Sequence, residues 1–141
     1  MSVHIAVTDE DLIRCYSAIR ELRPHLTQSQ FVAQVKRQIQ NHGYQIVYIA
    51  DQDSVVAAAG YRIAEFLAWG RALYIDDLVT VERSRGTGYG GELLDWLIAL
   101  AHERGCDAVH LDSGVQRHTA HRLYMRRKLA ISSHHFSINL I

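Results

Sequence analysis

Residues 78–94 read LVTVERSRGTGYGGELL: a β-branched run, a short polar turn, four glycines within six residues, then helix formers. No other stretch limits the fold as much. Glycine, lacking a Cβ, takes positive φ and lets other groups approach the backbone, so this junction reads as a strand-to-helix turn. It leaves the first N–H groups of the helix uncovered, and such groups bind anions, phosphate oxygens above all. The helix spans about 88–104, with Leu94, Leu97, Ile98 and Ala101 on one face and Gly105 as its stop. AVHLD at 108–112 alternates as a strand, so the region from 72 to 112 is a β-α-β unit.

The rest of the chain divides by the same signals. VHIAV (3–7) reads as a strand. The helix after it is capped by Thr8 with Asp11 three residues on, Asp9 and Glu10 favouring its positive end and Leu12, Tyr16 and Ile19 forming its apolar stripe. Pro24 breaks the chain. A second helix starts at Thr27 with Gln30 completing a capping box, buries Phe31, Val35 and Ile39, and ends at Asn41–Gly43. Residues 44–51 and 55–67 form a hairpin about the DQDS turn, and 72–81 is a third strand. A short helix over 116–127 and a final strand over 131–140 complete a mixed α/β order.

The 141 residues suit one domain, 1–141. Lys plus Arg balances Asp plus Glu, so no general attraction to nucleic acid is expected. The chain shows no signal peptide and no apolar run long enough to span a bilayer, which makes a cytoplasmic protein with no membrane partner the expectation. Cys15 and Cys106 lack CxxC spacing and read as free thiols. His118 and His121 share a helix face and His134 and His135 point oppositely on a strand, so no tetrahedral metal set is expected.

Two phosphate-binding readings compete for the glycines. Gly86, Gly88 and Gly91 fit the dinucleotide pattern G-x-G-x-x-G, with Asp112 ending the next strand. Against it, the polar ERSR at 82–85 separates strand from glycine, and the 50 residues after Gly91 cannot build a doubly wound sheet. The second reading accounts for the arginine as well. Arg85-x-x-Gly88-x-Gly90 resembles the pyrophosphate loop of the GCN5-related N-acetyltransferases, LVT at 78–80 precedes it at the family's spacing, and AHRLYMRR at 120–127 resembles the family's late helix. The resemblance covers nearly the whole chain and is strongest over 76–127.

This resemblance implies a mixed, mostly antiparallel sheet splayed at the cofactor strand and flanked by about four helices. It implies direct transfer of an acetyl group from acetyl-CoA to a primary amine without a metal. Leu78, Val79 and Thr80 would meet the pantetheine arm. The N–H groups of Arg85, Gly86, Thr87, Gly88, Tyr89 and Gly90 would take the diphosphate. Tyr124 matches the tyrosine that protonates the departing sulfur. For a base, Asp76 shares a strand face with Leu78 and Thr80 and is the first candidate; a bulge would reverse that choice in favour of Asp77. His110 and Asp112 follow, and a water chain alone is the alternative.

The sequence departs from the family where a glycine and a phenylalanine usually follow the tyrosine. Lys128 and Leu129 stand there, so a left-handed cap on lysine would cost on the order of 1 kcal/mol. Arg83 or Glu82 stands where a proline is common. The acceptor pocket is expected between the first two helices, the 66–71 loop and the last strand. The late stretch is similar to that of the small aminoalkylphosphonate N-acetyltransferases, with Arg62, Arg71 or Arg117 able to meet an acidic group. A protein or peptide amine, a non-catalytic acetyl-CoA-binding domain and a pure interaction module are the alternatives. A homodimer through the apolar FSINLI end is also open.

Overall fold

A computed structural model describes residues 2–141. They form two compact units, one running to Leu111 and one spanning Asp112–Ile141. In chain order the first holds β1 (Val3–Ile5), α1 (Asp9–Leu22), α2 (Gln28–His42), β2 (Gln45–Asp51), β3 (Ser54–Phe66), β4 (Gly70–Thr80), a 3₁₀ turn (Glu82–Ser84), α3 (Tyr89–Glu103) and β5 (Ala108–Leu111). The second holds α4 (His118–Arg126). The class is mixed α/β, as the sequence indicates.

Both early helices begin on the expected capping boxes. Thr8 accepts from the Asp11 N–H and Thr27 from the Gln30 N–H, and the Asp11 and Gln30 side chains reach back to the cap N–H groups. Asp11 also accepts from the Val7 N–H at 2.9 Å. Those bonds turn residues 7 and 8 out of the sheet, which is why β1 stops at Ile5 rather than at residue 7. Gly43 closes α2 at φ 65°, the left-handed cap that glycine takes without a Cβ penalty.

The strands lie in sequence order, β1-β2-β3-β4-β5, antiparallel except for the parallel β4/β5 pair that α3 connects. Residues 55–61 of β3 are buried without alternation, so the sheet's centre is covered on both faces. There α1 and α3 each pack on β3 and β4, and α2 packs on α1. Ala57, Ala58 and Ala59, poor strand formers in isolation, are fully buried, and their small side chains let the helices approach. Cys15 lies in this core, where burial pushes its thiol up to about 12; it is a packing residue, not a nucleophile.

In the second unit α4 ends as a Schellman motif. The Leu129 N–H donates to the Tyr124 carbonyl and the Lys128 N–H to the Met125 carbonyl, with Lys128 at φ 66°. Lysine therefore takes the left-handed cap itself. The expected strand over 131–140 does not form. Ile131, Phe136, Ile138, Leu140 and Ile141 are all at least 75% exposed, and the segment has no regular secondary structure. Alternation supplies the faces of a strand but not the ladder of partners that holds one.

Candidate active site

The 85–91 turn is built as its glycines suggest. Gly86 and Gly88 take φ 82° and 93°, and Gly88 is the N-cap of α3 without any side-chain cap bond. Among the described residues, no acceptor takes the backbone N–H groups of residues 86–90, and the first bond into the helix is Glu92 N–H to the Gly88 carbonyl at 3.0 Å. The loop is braced from its outer side. Arg85 Nε donates to the Thr80 carbonyl at 3.2 Å, and the Thr87 hydroxyl donates to the Ser84 carbonyl. A Cβ on Gly86 or Gly88 would meet nothing within 4 Å, so positive φ rather than crowding demands glycine there.

The strand leading into this turn parts from its parallel neighbour. β4 pairs with β5 from Ala72↔Ala108 to Ile75↔Leu111, then runs to Thr80 while pairing only with β3. Backbone groups of 76–80 that face away from β3 thus have no partner in β5. Leu78 and Val79 are buried on this segment and Thr80 is half-buried. A free strand edge and a row of uncovered N–H groups, joined end to end, suit a ligand with an amide-bearing arm and a phosphate group.

A bulge sits where the edge begins. Gly60 pairs with Asp77 and Tyr61 with Ile75, so Asp76 has no opposite residue. Its carboxylate is gripped by Arg62, whose Nε donates at 3.0 Å and whose Nη2 pairs with the second oxygen. Asp77 lines a cavity of about 330 Å³ between α1, α2 and β4. Arg23 Nε donates to Asp77 Oδ1 at 2.9 Å, and Arg23 Nη2 donates to the Asp76 carbonyl at 3.1 Å, so one guanidinium clamps the bulge. The Tyr44 hydroxyl donates to Asp77 Oδ2 at 2.6 Å. Burial first, and the Asp77 charge second, hold Tyr44 well above its ordinary value, so it stays a neutral donor. His25, Gln34 and Gln38 complete the polar lining, with Phe31 and Val35 among the apolar walls.

The other residues singled out from the sequence have partners of their own. Among the described residues, the 66–71 loop, expected to border the acceptor pocket, does not line this cavity. Arg62 is held by Asp76, and Arg71 Nε donates to the Arg104 carbonyl at 3.0 Å. His110 stacks on Trp69 with ring centroids 3.6 Å apart. In the second unit Tyr124 is buried on α4, and burial raises its hydroxyl while the Arg117 charge offsets part of the rise. His121 Nε2 lies 2.9 Å from the Gly114 carbonyl, and Asp112 Oδ2 lies 3.7 Å from His135 Nδ1. Among the described residues no group of three His, Cys, Asp or Glu side chains could hold a metal. Arg23, Tyr44 and Asp77 form the group that sequence patterns did not bring together.

Comparison with known proteins gives the family. Residues 7–129 match the family model described as the acetyltransferase (GNAT) family. The chain is 31% identical over 115 residues to the uncharacterized N-acetyltransferase YhdJ of Bacillus subtilis (strain 168), covering 82% of this chain and 81% of that one. The crystal structure of a transcriptional regulator from Bacillus halodurans C-125 superposes with a TM-score of 0.83 at 22% identity, over 99% of this chain and 100% of that one. A ribosomal-protein-alanine N-acetyltransferase from Brucella melitensis biovar Abortus 2308 does so with a TM-score of 0.82 at 15% identity, over 99% and 100%. At these identities the two structures bear on fold alone.

Proposed function

The chain belongs to the GNAT acetyltransferase family and is an N-acetyltransferase, and from that premise we propose that it transfers acetyl from acetyl-CoA to the primary amine of a small molecule. The observation carrying this reading is the continuous path from the β4 edge, free of β5 beyond Ile75, into the uncovered N–H groups of residues 86–90. Those donors suit a diphosphate, and the edge at Leu78, Val79 and Thr80 suits the amides of a pantetheine arm. The family match, which runs across both compact units, supports treating 1–141 as one N-acetyltransferase domain. A cytoplasmic location belongs to the same proposal; no helix among the described residues is long and apolar enough to cross a membrane.

Acetyl-CoA, when bound, supplies a thioester whose carbon accepts the amine. The chain's part is to hold the two together and to serve the changing charges. The Leu78 N–H would donate to the thioester oxygen as it gains negative charge. In the transfer a C–N bond would form and the C–S bond break, and Tyr124, which matches the family's tyrosine, would give its proton to the departing sulfur; burial keeps that phenol protonated at neutral pH. The amine loses its proton to water. Asp76, bound on both oxygens by Arg62, holds the bulge, while Asp77 faces the cavity and is the carboxylate for the amine to meet. A cavity of about 330 Å³ favours a small acceptor over a polypeptide.

The exposed apolar residues at 131–141 favour pairing with a second copy of the chain as a homodimer. Light scattering of the whole chain and of a chain ending at Leu129 tests this, with loss of the dimer expected on truncation. The catalytic reading is tested by following thiol release from acetyl-CoA with a panel of amines. A chain that binds acetyl-CoA but turns over no amine would leave only a binding domain.

A further inference from the structure

We infer that Glu21, in the last turn of α1, is a positioning residue for the donor: it fixes the turn from which the diphosphate-binding N–H groups project. This rests on the acetyl-CoA reading and adds to it a residue that acts on the loop from outside.

The backbone leaves a gap that one side chain fills. Pairing with β3 carries one residue past Thr80, where the Val81 N–H donates to the Val56 carbonyl at 2.9 Å. The next N–H, that of Glu82, opens the 3₁₀ turn, and the first N–H groups of a helical turn find no acceptor within it. Val81 holds the cap position and has no side-chain acceptor to offer. The acceptor comes instead from 61 positions away: Glu21 Oε1 takes the Glu82 N–H at 2.9 Å. A carboxylate makes this bond stronger than a neutral oxygen would.

What Glu21 fixes passes on to the loop. The Ser84 N–H donates to the Val81 carbonyl at 2.9 Å, the Arg85 N–H to the Glu82 carbonyl at 3.3 Å, and the Thr87 hydroxyl to the Ser84 carbonyl. These bonds run from residue 81 into the glycine turn, so a shift at Glu82 moves the donors of 86–90. The same helix end holds the other side of the free edge, since Arg23 binds Asp77 and the Asp76 carbonyl. Residues 78–81 thus lie between two contacts made by side chains two positions apart. Glu21 is exposed, so its replacement opens no cavity in the core.

The backbone also supplies a way to make Glu21 dispensable. Val81, at φ −58° and ψ 145°, has the conformation that a residue before proline takes. Glu82 is the first residue of the turn, where proline is pre-organised and its missing N–H costs nothing. Glu82→Pro therefore removes the donor and the need for its acceptor together.

The experiment is titration calorimetry of acetyl-CoA into the wild type, Glu21→Ala, Glu21→Gln, Glu82→Pro and the Glu21→Ala/Glu82→Pro double variant. Glu21→Ala should weaken binding on the order of fivefold, the scale of a lost cap. Glu21→Gln, which keeps a side-chain oxygen, should recover most of it. In the Glu82→Pro background the same alanine change should matter by less than about twofold, because its partner N–H is gone. In steady-state kinetics the loss should fall on KM for acetyl-CoA and leave kcat unchanged. Equal affinity of wild type and Glu21→Ala, or an undiminished loss in the proline background, would overturn the inference. If Glu82→Pro does not fold, Glu21→Gln decides: binding as weak as that of Glu21→Ala overturns it. A wild type that binds no acetyl-CoA brings down the acetyltransferase reading itself, a failure distinct from normal binding that ignores Glu21.

Discussion

Replacing Gly60 with alanine probes the polar trio without touching any of its members. Gly60 does not sit at positive φ, so backbone conformation is not its reason to be glycine. Space is the reason: an added Cβ would overlap the Tyr44 hydroxyl and Cζ and lie 2.6 Å from Cε1. Tyr44 is 3% exposed and cannot swing into solvent. The ring must shift, lengthening its 2.6 Å bond to Asp77. Loss of a hydrogen bond to a charged group costs about 1.5–3 kcal/mol. Overpacking costs about 1–3 kcal/mol more, and the alanine returns about 0.5–1 kcal/mol of backbone entropy. The net expectation is a loss of about 2–5 kcal/mol, read by urea denaturation at constant m. In a Tyr44→Phe background the hydrogen bond is already gone while Cε1 still crowds the site. The same Gly60→Ala change should therefore cost about 1.5–3 kcal/mol less there. A variant within about 0.5 kcal/mol of wild type, or an equal cost in both backgrounds, would refute this account.

Lys128→Gly should stabilise the chain by about 0.5–1 kcal/mol, since lysine at φ 66° occupies a conformation that glycine takes without strain; urea midpoints check it. Tyr124→Phe should lower kcat about 100-fold or more while leaving acetyl-CoA affinity unchanged, as steady-state kinetics with calorimetry would show. The Val7 and Thr8 N–H groups hold the Asp11 carboxyl below its ordinary value, against a small opposing effect of burial. A depressed folded value means the stabilisation is fully present above the unfolded carboxylate's pKa of about 4 and fades as pH falls through the lower folded one. The stability gap between wild type and Asp11→Ala should thus be constant near neutrality and shrink below about pH 4, which urea melts at several pH values would show.

Where a signal is local, the sequence displays it. Thr8 with Asp11 and Thr27 with Gln30 are capping boxes because each residue needs only a partner three positions away. Gly43, Gly86 and Gly88 mark left-handed turns for the same reason. The β-α-β unit follows from its glycine junction and strand alternation. What stayed hidden depends on distant residues. The bulge at Asp76 decides which of two adjacent acids faces the cavity, and it exists because of the β3 pairing at Gly60 and Tyr61. Arg23 reaches Asp77 across 54 positions, and nothing in the helix end at Arg23-Pro24 announces that contact. Arg62 and Arg71 look equally available to an acid in the sequence; Asp76 and the Arg104 carbonyl take them. The alternation at 136–140 is real, but a ladder partner is not encoded in one strand.

The central claim is that the turn after β4 binds the diphosphate of acetyl-CoA, and titration calorimetry of acetyl-CoA into the wild type and into Gly88→Glu tests it most directly. Gly88 carries the N-cap of α3 at φ 93°, so glutamate there both strains the turn and sets a carboxylate among the N–H donors. Saturable micromolar binding by the wild type, lost in the folded variant, is the predicted result. Absence of binding by the wild type, or equal binding by both proteins, would contradict the account.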